Sequence, residues 1–210
     1  MKLINVFAFG DSITYGARDA VNGGWASQLR IYLDQRSDPN EGPKYYTYNL
    51  GISGETTDGL LKRFPREAEA RIDPGEENVI LFAYGANDAA WLPKESRFNV
   101  ALERFRSNLM EAVAQARKLS ARILLLNITP VIDRLTANRE YRSRLNEYVV
   151  KYNQVLGELA EKEGLILIDI NSAFMKARVE GMLSEDGLHP NEKGHQLILK
   201  AVKSALEKII

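Results

Sequence analysis

Short runs of apolar residues alternate along the chain with longer segments in which apolar residues recur every three or four positions. The short runs cover residues 3–9, 45–50, 79–84, 123–128 and 165–168, and Gly, Asp or a Thr-Pro pair follows each of them. Such runs predict strands, and their near-continuous apolar character is typical of parallel strands that are buried on both faces. The pattern therefore predicts five strands of a parallel sheet.

Helical spacing marks the segments between the predicted strands. One apolar stripe is formed by Phe98, Leu102, Phe105, Leu109, Val113 and Leu119, and another by Leu145, Tyr148, Tyr152, Val155 and Leu159. Weaker helical patterns cover residues 25–35, 57–70 and 191–210. The regular alternation of strand and helix predicts a layered α/β domain.

Composition narrows the range of partners. Of the 210 residues 45% are hydrophobic, which is enough for one ordinary core, and we expect residues 1–210 to form a single domain. The 28 basic residues balance 28 acidic ones without a basic block, which argues against nucleic acid and favours a neutral or small ligand. The absence of cysteine excludes disulfides, thiolate zinc sites and cysteine nucleophiles.

Targeting and membrane-spanning patterns are missing from the sequence. The first apolar stretch is too short for a signal peptide and runs into Asp11, and no later run approaches about 18 continuous apolar residues. We therefore expect a soluble, cytoplasmic protein without a membrane span.

Polar residues and glycines follow the predicted strands at the points where chemistry is expected. Asp11 and Ser12 come after the first strand, Gly54 after the second and Asn87 after the third. The sequence DGLHP, residues 186–190, lies beyond the fifth strand. Because functional loops gather at the carboxyl ends of parallel strands, these residues are candidates for one common site.

Ser12 requires a general base if it is to act as a nucleophile. The chain has two histidines, and His189 has an acidic neighbour, Asp186, three residues earlier that could reach its Nδ1–H. Alternatively, Asp186 caps a turn and His189 is a surface side chain. His195 falls inside the predicted last helix, and we expect it to be structural.

Acyl transfer also requires donors for the oxygen that becomes negative. The Gly54 N–H, the Asn87 side-chain amide and the Ser12 N–H could supply them. Alternatively, Gly54 is a glycine that a turn requires, and Asn87 stabilises a turn or caps a helix. Asp11 adjoins Ser12, and we expect it to accept hydrogen bonds from nearby groups rather than to pair with a histidine.

Four short blocks of the sequence resemble those of the SGNH hydrolases, also called GDSL esterases and lipases. They are FGDSIT with Ser12, NLGISGET with Gly54, GAND with Asn87, and DGLHP with Asp186 and His189. The blocks stand in the family order and span the whole chain. One departure is Ile13, where the GDSL name has leucine, a conservative change.

This resemblance implies a three-layer α/β/α fold similar to that of flavodoxin, with a five-stranded parallel sheet. It also implies hydrolysis through an acyl-serine at Ser12 with a Ser-His-Asp triad, and a site without a metal. Ser12 would then begin the first helix. Neither G-x-G-x-x-G nor a G-K-[ST] loop occurs, so we expect no cofactor, and the lipase pattern G-x-S-x-G is missing as well.

The expected activity is hydrolysis of a small-molecule carboxylic ester or thioester with a short or medium acyl chain. One alternative is an O-acyltransferase or a deacetylase that acts on acylated sugars, and another is a binding module for acylated glycans. Trp91, Leu92 and Val131 follow the third and fourth strands, and they could line the acyl or alcohol pocket or simply pack in the core.

Overall fold

A five-stranded parallel sheet forms the centre of the structure, a computed structural model that describes residues 2–38, 40, 42–72, 75–137 and 140–210. Its strands are β1 (Leu3–Gly10), β2 (Lys44–Gly51), β3 (Glu77–Ala83), β6 (Arg122–Leu126) and β7 (Ile166–Ile168), and their order is β2-β1-β3-β6-β7. Two short strands, β4 (Trp91–Leu92) and β5 (Arg97–Phe98), form a separate antiparallel pair. The five predicted strands are confirmed.

Helices occupy the connections between the strands. They are α1 (Ser12–Tyr15), α2 (Gly24–Arg36), α3 (Thr57–Glu69), α4 (Leu102–Lys118), α5 (Asp133–Thr136), α6 (Asn146–Glu163), α7 (Ile170–Lys176) and α8 (Glu192–Leu206). All five predicted helices are present. Among the described residues, no helix combines the length and the apolar character that crossing a membrane requires.

The start of α4 differs from the prediction that the helical stripe begins at Phe98. Phe98 lies in β5, and the backbone N–H groups of Asn99 and Val100 donate to the carbonyls of Ala90 and Asp88. Because the pairing of Phe98 with Trp91 and these two bonds hold the segment extended against the loop that follows β3, the helix begins later, at Leu102.

Two hydrophobic layers cover the sheet. Phe7 and Phe9 of β1 point to the face that α3, α4 and α6 cover, while Val6 and Ala8 point to the face that α2, α7 and α8 cover. This alternation follows from the two-residue period of a strand. Helices on both faces produce the three-layer α/β/α arrangement.

The strand order determines where a site can form. The chain leaves β1 toward β2 on one side, and it continues from β3 toward β6 on the other side. The ends of β1 and β3 therefore flank a topological switch point, at which the loops diverge and leave a crevice. The loops that carry Ser12 and Asn87 both begin at this crevice.

Candidate active site

Ser12 begins α1 immediately after the end of β1. The preceding residue, Asp11, caps this helix by accepting a hydrogen bond from the Ile13 N–H at 2.9 Å. The turn is tight, because a Cβ on Gly10 would lie 2.1 Å from Oγ1 of Thr14. The glycine at the strand end therefore allows the chain to turn sharply and present Ser12 at the crevice.

A continuous chain of hydrogen bonds joins Ser12 to two residues near the other end of the sequence. Ser12 Oγ lies 2.9 Å from Nε2 of His189, and Nδ1 of His189 lies 2.7 Å from Oδ2 of Asp186. An ionised Asp186 accepts from Nδ1–H, which leaves Nε2 unprotonated and able to accept the Ser12 hydroxyl proton. The structure thus brings together the three residues that the sequence indicated for a nucleophile, a base and an acid.

The turn that contains Asp186 stabilises its charge. Oδ1 of Asp186 accepts from the N–H groups of Leu188 and His189 and from the Ser184 hydroxyl, each at 2.9 Å. Partial burial opposes ionisation, but these bonds and the bond from the His189 ring outweigh it and hold the pKa of Asp186 well below its ordinary value. Gly187 has a φ of 68°, which L side chains rarely adopt. Asp186 is therefore a carboxylate over the whole physiological pH range.

Gly54 and Asn87 line the same cleft as Ser12 and His189. Gly54 has a φ of 79°, and no other group lies within 4 Å of where its Cβ would be, so this face of the residue is open. Nδ2 of Asn87 donates to the Glu55 carbonyl at 3.1 Å and to Oδ2 of Asp11 at 3.3 Å. The structure thus places both residues in the lining of the cleft around Ser12.

The open cleft around Ser12 measures about 980 Å³ with the solvent at its mouth. The residues that line it are Ser12, Ala17, Ser53, Gly54, Asn87, Glu140, Tyr141, Arg142, Arg144, Leu188 and His189. Residues 140–144 were not indicated by the sequence, because they form a connection between α5 and α6 that carries no recognisable motif.

Residues 8–197 match the model of the GDSL-like lipase/acylhydrolase family. The chain belongs to this family. The human "isoamyl acetate-hydrolyzing esterase 1 homolog" is 25% identical, with 95% of this chain and 80% of that protein covered. "Esterase TesA" of Pseudomonas aeruginosa is 27% identical, with 96% and 87% covered. The chain is therefore a carboxylic ester hydrolase.

The fold is also that of solved structures in this family. The lipase/acylhydrolase from Enterococcus faecalis superimposes with a TM-score of 0.75, and 99% of this chain and 96% of that chain are covered. At 23% sequence identity this likeness concerns the fold. It agrees with the three-layer arrangement described above.

Three further residues of this GDSL-like hydrolase lie away from the cleft lining. Trp91 and Leu92 form β4, and the Trp91 ring packs edge-on against Phe98 at 5.2 Å between ring centroids. Val131 is buried in the core. The structure therefore does not bring Trp91, Leu92 or Val131 to the cleft around Ser12, because the loop after β3 turns back into the β4–β5 pair.

Trp91 nevertheless supports the cleft through its backbone. Its N–H and carbonyl exchange two hydrogen bonds with Ser143, each at 2.9 Å. Ser143 lies within the connection that lines the cleft, so this pairing holds residues 140–144 in place.

Two buried carboxyl groups adjoin residues that line the cleft of the hydrolase, Asp11 beside Ser12 and Asp88 beside Asn87. Burial raises the pKa of Asp11 to about 7, although the Ile13 N–H lowers it, and the charge of Asp88 raises it further. Burial likewise raises the pKa of Asp88 to about 6, against the lowering effect of its bonds from Thr57. Asp11 acts as the predicted acceptor for its neighbours, and both carboxyls titrate near neutral pH.

His195 is structural, as predicted. It is fully buried on α8, where its Nε2 lies 3.0 Å from the Ala17 carbonyl and its Nδ1 accepts from the Trp25 N–H at 3.3 Å. Burial lowers its pKa, which favours the neutral ring. In the described ranges, no three His, Cys, Asp or Glu side chains are grouped so that they could hold a metal ion.

Replacement of Asp11 by Asn should change how stability depends on pH. Folding raises the pKa of Asp11 from 3.8 to about 7, so between these values the native state keeps a proton that the unfolded state has released. The free energy of unfolding therefore falls as the pH rises through this interval, by at most about 1.4 kcal/mol per pH unit for one group. Asp11→Asn removes this contribution, and urea denaturation at a series of pH values measures it. Equal slopes for the two proteins from pH 4 to 7 would contradict the assignment.

Proposed function

We propose that this ester hydrolase works through an acyl-serine intermediate, with Ser12 as the nucleophile, His189 as the general base and Asp186 as its orienting acid. The observation that carries the proposal is the unbroken chain from Ser12 Oγ to His189 Nε2 at 2.9 Å and from His189 Nδ1 to Asp186 Oδ2 at 2.7 Å. The same parallel sheet supports every residue of the site, so we treat residues 1–210 as one catalytic unit.

The reaction begins with attack of Ser12 Oγ on the acyl carbon while Nε2 of His189 takes the hydroxyl proton. The Ser12 N–H, the Gly54 N–H and the Asn87 amide stabilise the oxyanion of the tetrahedral intermediate. His189 then gives its proton to the leaving alcohol, and the acyl group remains on Ser12. His189 then deprotonates a water molecule, which attacks the acyl carbon; the bond to Ser12 Oγ breaks, His189 returns the proton to Ser12 Oγ, and the acid is released.

Asp186 remains ionised throughout both half-reactions. The hydrogen bonds that hold its pKa down also fix its position relative to the His189 ring. Its charge therefore stabilises the imidazolium that forms when His189 takes the proton, without accepting that proton itself.

The chemistry of the cleft favours esters with a short acyl group and a polar alcohol. Among the lining residues the larger apolar groups are the Leu188 side chain and the Tyr141 ring, whereas Glu140, Arg142 and Arg144 are charged. A long hydrocarbon chain would therefore find few large apolar side chains to pack against there. The name of the human relative refers to an acetate ester, which also has a small acyl group.

A second candidate function is removal of acyl groups from sugars. Tyr141 is 66% exposed at the rim of the cleft, and the Lys94 ammonium lies 4.5 Å from the centre of its ring. An exposed aromatic ring beside charged groups suits the stacking and hydrogen bonding of a sugar ring. This candidate function uses the same triad, and only the alcohol part of the ester differs. Transfer of the acyl group from Ser12 to a sugar hydroxyl is the reverse of the step in which a sugar ester acylates Ser12.

Replacement of Ser12 by Ala should reduce kcat for p-nitrophenyl acetate by about 10⁴-fold or more, because no acyl-enzyme can form. Initial rates measured on folded protein test this expectation. The matched control is Ser107→Ala, since Ser107 is an exposed serine on α4, and this variant should keep the full rate. Undiminished turnover in Ser12→Ala would disprove the proposed function.

Replacement of Asp186 by Asn should also lower kcat by about 10⁴-fold, since an amide can present a donor to Nδ1 and favour the wrong tautomer. Arg18 serves as the comparison, because its Nε also bonds Oδ2 of Asp186, at 3.2 Å, but its side chain is 53% exposed. An exposed ion pair contributes about 0–1 kcal/mol, so Arg18→Gln should cost less than about fivefold. Comparable losses in the two variants would speak against the role given to Asp186.

The acyl-chain preference can be tested with p-nitrophenyl esters of increasing length. We expect kcat/KM to be highest for acetyl to butyryl esters and to fall for decanoyl and longer ones, because few large apolar side chains line the cleft. An acetylated sugar assayed beside them, with and without an added acceptor alcohol, separates the two candidate functions and detects transfer. A rate that rises steadily with chain length would contradict this preference.

A further inference from the structure

Arg144 is a buried cation next to Asn87. It is 8% exposed, and its Nη2 donates to Oδ1 of Asn87 at 3.0 Å while its Nε donates to the Ala86 carbonyl at 3.1 Å. One rigid guanidinium group thus bonds both the side chain of Asn87 and the backbone immediately before it. Neither the family blocks nor the local sequence around Arg144 indicated this contact.

Hydrogen bonds to Thr136 fix the backbone of Arg144. Its N–H donates to the Thr136 carbonyl at 3.0 Å, and its own carbonyl accepts from the Thr136 hydroxyl at 2.7 Å. The preceding residue, Ser143, is paired with Trp91. The Arg144 side chain therefore extends from a backbone segment that is itself held in place. A residue that positions another side chain requires such support.

An asparagine can serve an oxyanion only when its NH₂ end faces the reacting oxygen. The two ends of the amide are nearly equal in shape, and the flipped amide would present its own oxygen to the developing negative charge. Arg144 has donors and no acceptor, so it can pair only with Oδ1 of Asn87. The Glu55 carbonyl and Oδ2 of Asp11, which accept from Nδ2 at 3.1 and 3.3 Å, favour the same orientation.

We propose that Arg144 is a positioning residue that locks the Asn87 amide with its NH₂ group toward the oxyanion. This inference depends on the proposed function, because it assigns Arg144 a role in the same acyl-transfer step. Arg144 acts through Asn87 and does not itself contact the reacting atoms. Its loss should therefore lower kcat much more than it changes KM.

A double-mutant cycle with Asn87 tests this role. Removal of one oxyanion donor costs about 10²–10³ in kcat, so we expect this loss for Asn87→Ala and a loss of about 10- to 100-fold for Arg144→Met. The double variant should lose less than about threefold beyond Asn87→Ala alone, since Arg144 has nothing left to position. Fully additive losses would overturn the proposal, because they indicate a structural or independent effect.

Two further variants separate charge from geometry and from simple loss of stability. Arg144→Lys keeps the charge but cannot donate to both acceptors in the same plane, so kcat should stay at least threefold below that of the unaltered protein. Arg144→Ala should recover activity in millimolar guanidinium chloride and not in sodium chloride. Arg134→Met, on the exposed helix α5, is the control and should behave as the unaltered protein. Full activity in Arg144→Lys, or an absence of guanidinium rescue in folded Arg144→Ala, would overturn the proposal.

A spectroscopic measurement distinguishes failure of this inference from failure of the proposed function. The side-chain NH₂ resonances of Asn87, identified by their disappearance in Asn87→Ala, should shift and exchange faster with water in Arg144→Met. This measurement needs no turnover. Esterase activity retained in Ser12→Ala would refute the proposed function. Unchanged Asn87 resonances in Arg144→Met would refute the role of Arg144, whatever the result for Ser12.

Discussion

The site depends on one hydrogen bond between groups 177 positions apart in the chain, from Ser12 Oγ to Nε2 of His189. Ser12 directly follows β1, an inner strand of the sheet, and its cap Asp11. His189 lies in a turn that is closed by a hydrogen bond from the Ser184 N–H to the His189 carbonyl at 2.8 Å. His195 links α8 to the loop after α1 through its ring. A hydroxyl becomes a useful nucleophile only when a base is held at bonding distance, so the packing of α8 on the sheet is a condition of the chemistry.

The topology of the sheet explains why the other parts of the site meet there. Parallel strands end at the same edge, and the strand order diverges between β1 and β3. The loops after these strands deliver Ser12 and Asn87, and the loop after β2 delivers Gly54. Asp11 and Asp88 are buried in the loops that follow β1 and β3, and burial favours the neutral form of both carboxyls. The charge of Arg144 acts in the opposite sense on Asp11 and lowers its pKa.

The sequence did not indicate contacts between residues that are far apart in the chain and belong to no motif or periodic pattern. Arg144 directly precedes a helical stripe, where a charged residue is indistinguishable from an exposed loop residue. Trp91 could have lined the pocket or packed in the core, and the structure shows its ring packed against Phe98 and its backbone paired with Ser143. Val131 was recognised as apolar, but periodicity alone cannot tell a pocket wall from the core, where it lies. The short helices α5 and α7 have too few turns to show a period.

The sequence by itself determined the five strands, the longer helices and the turn that joins Asp186 to His189, because each depends on residues that are close in the chain. It also indicated Ser12, Gly54 and Asn87, since glycine and small polar residues directly after buried strands are conspicuous. Only the tertiary structure decided which groups meet across the crevice and which cation orients the Asn87 amide. Those contacts join distant segments, and their geometry follows from how helices and loops pack on the sheet, which no local pattern encodes.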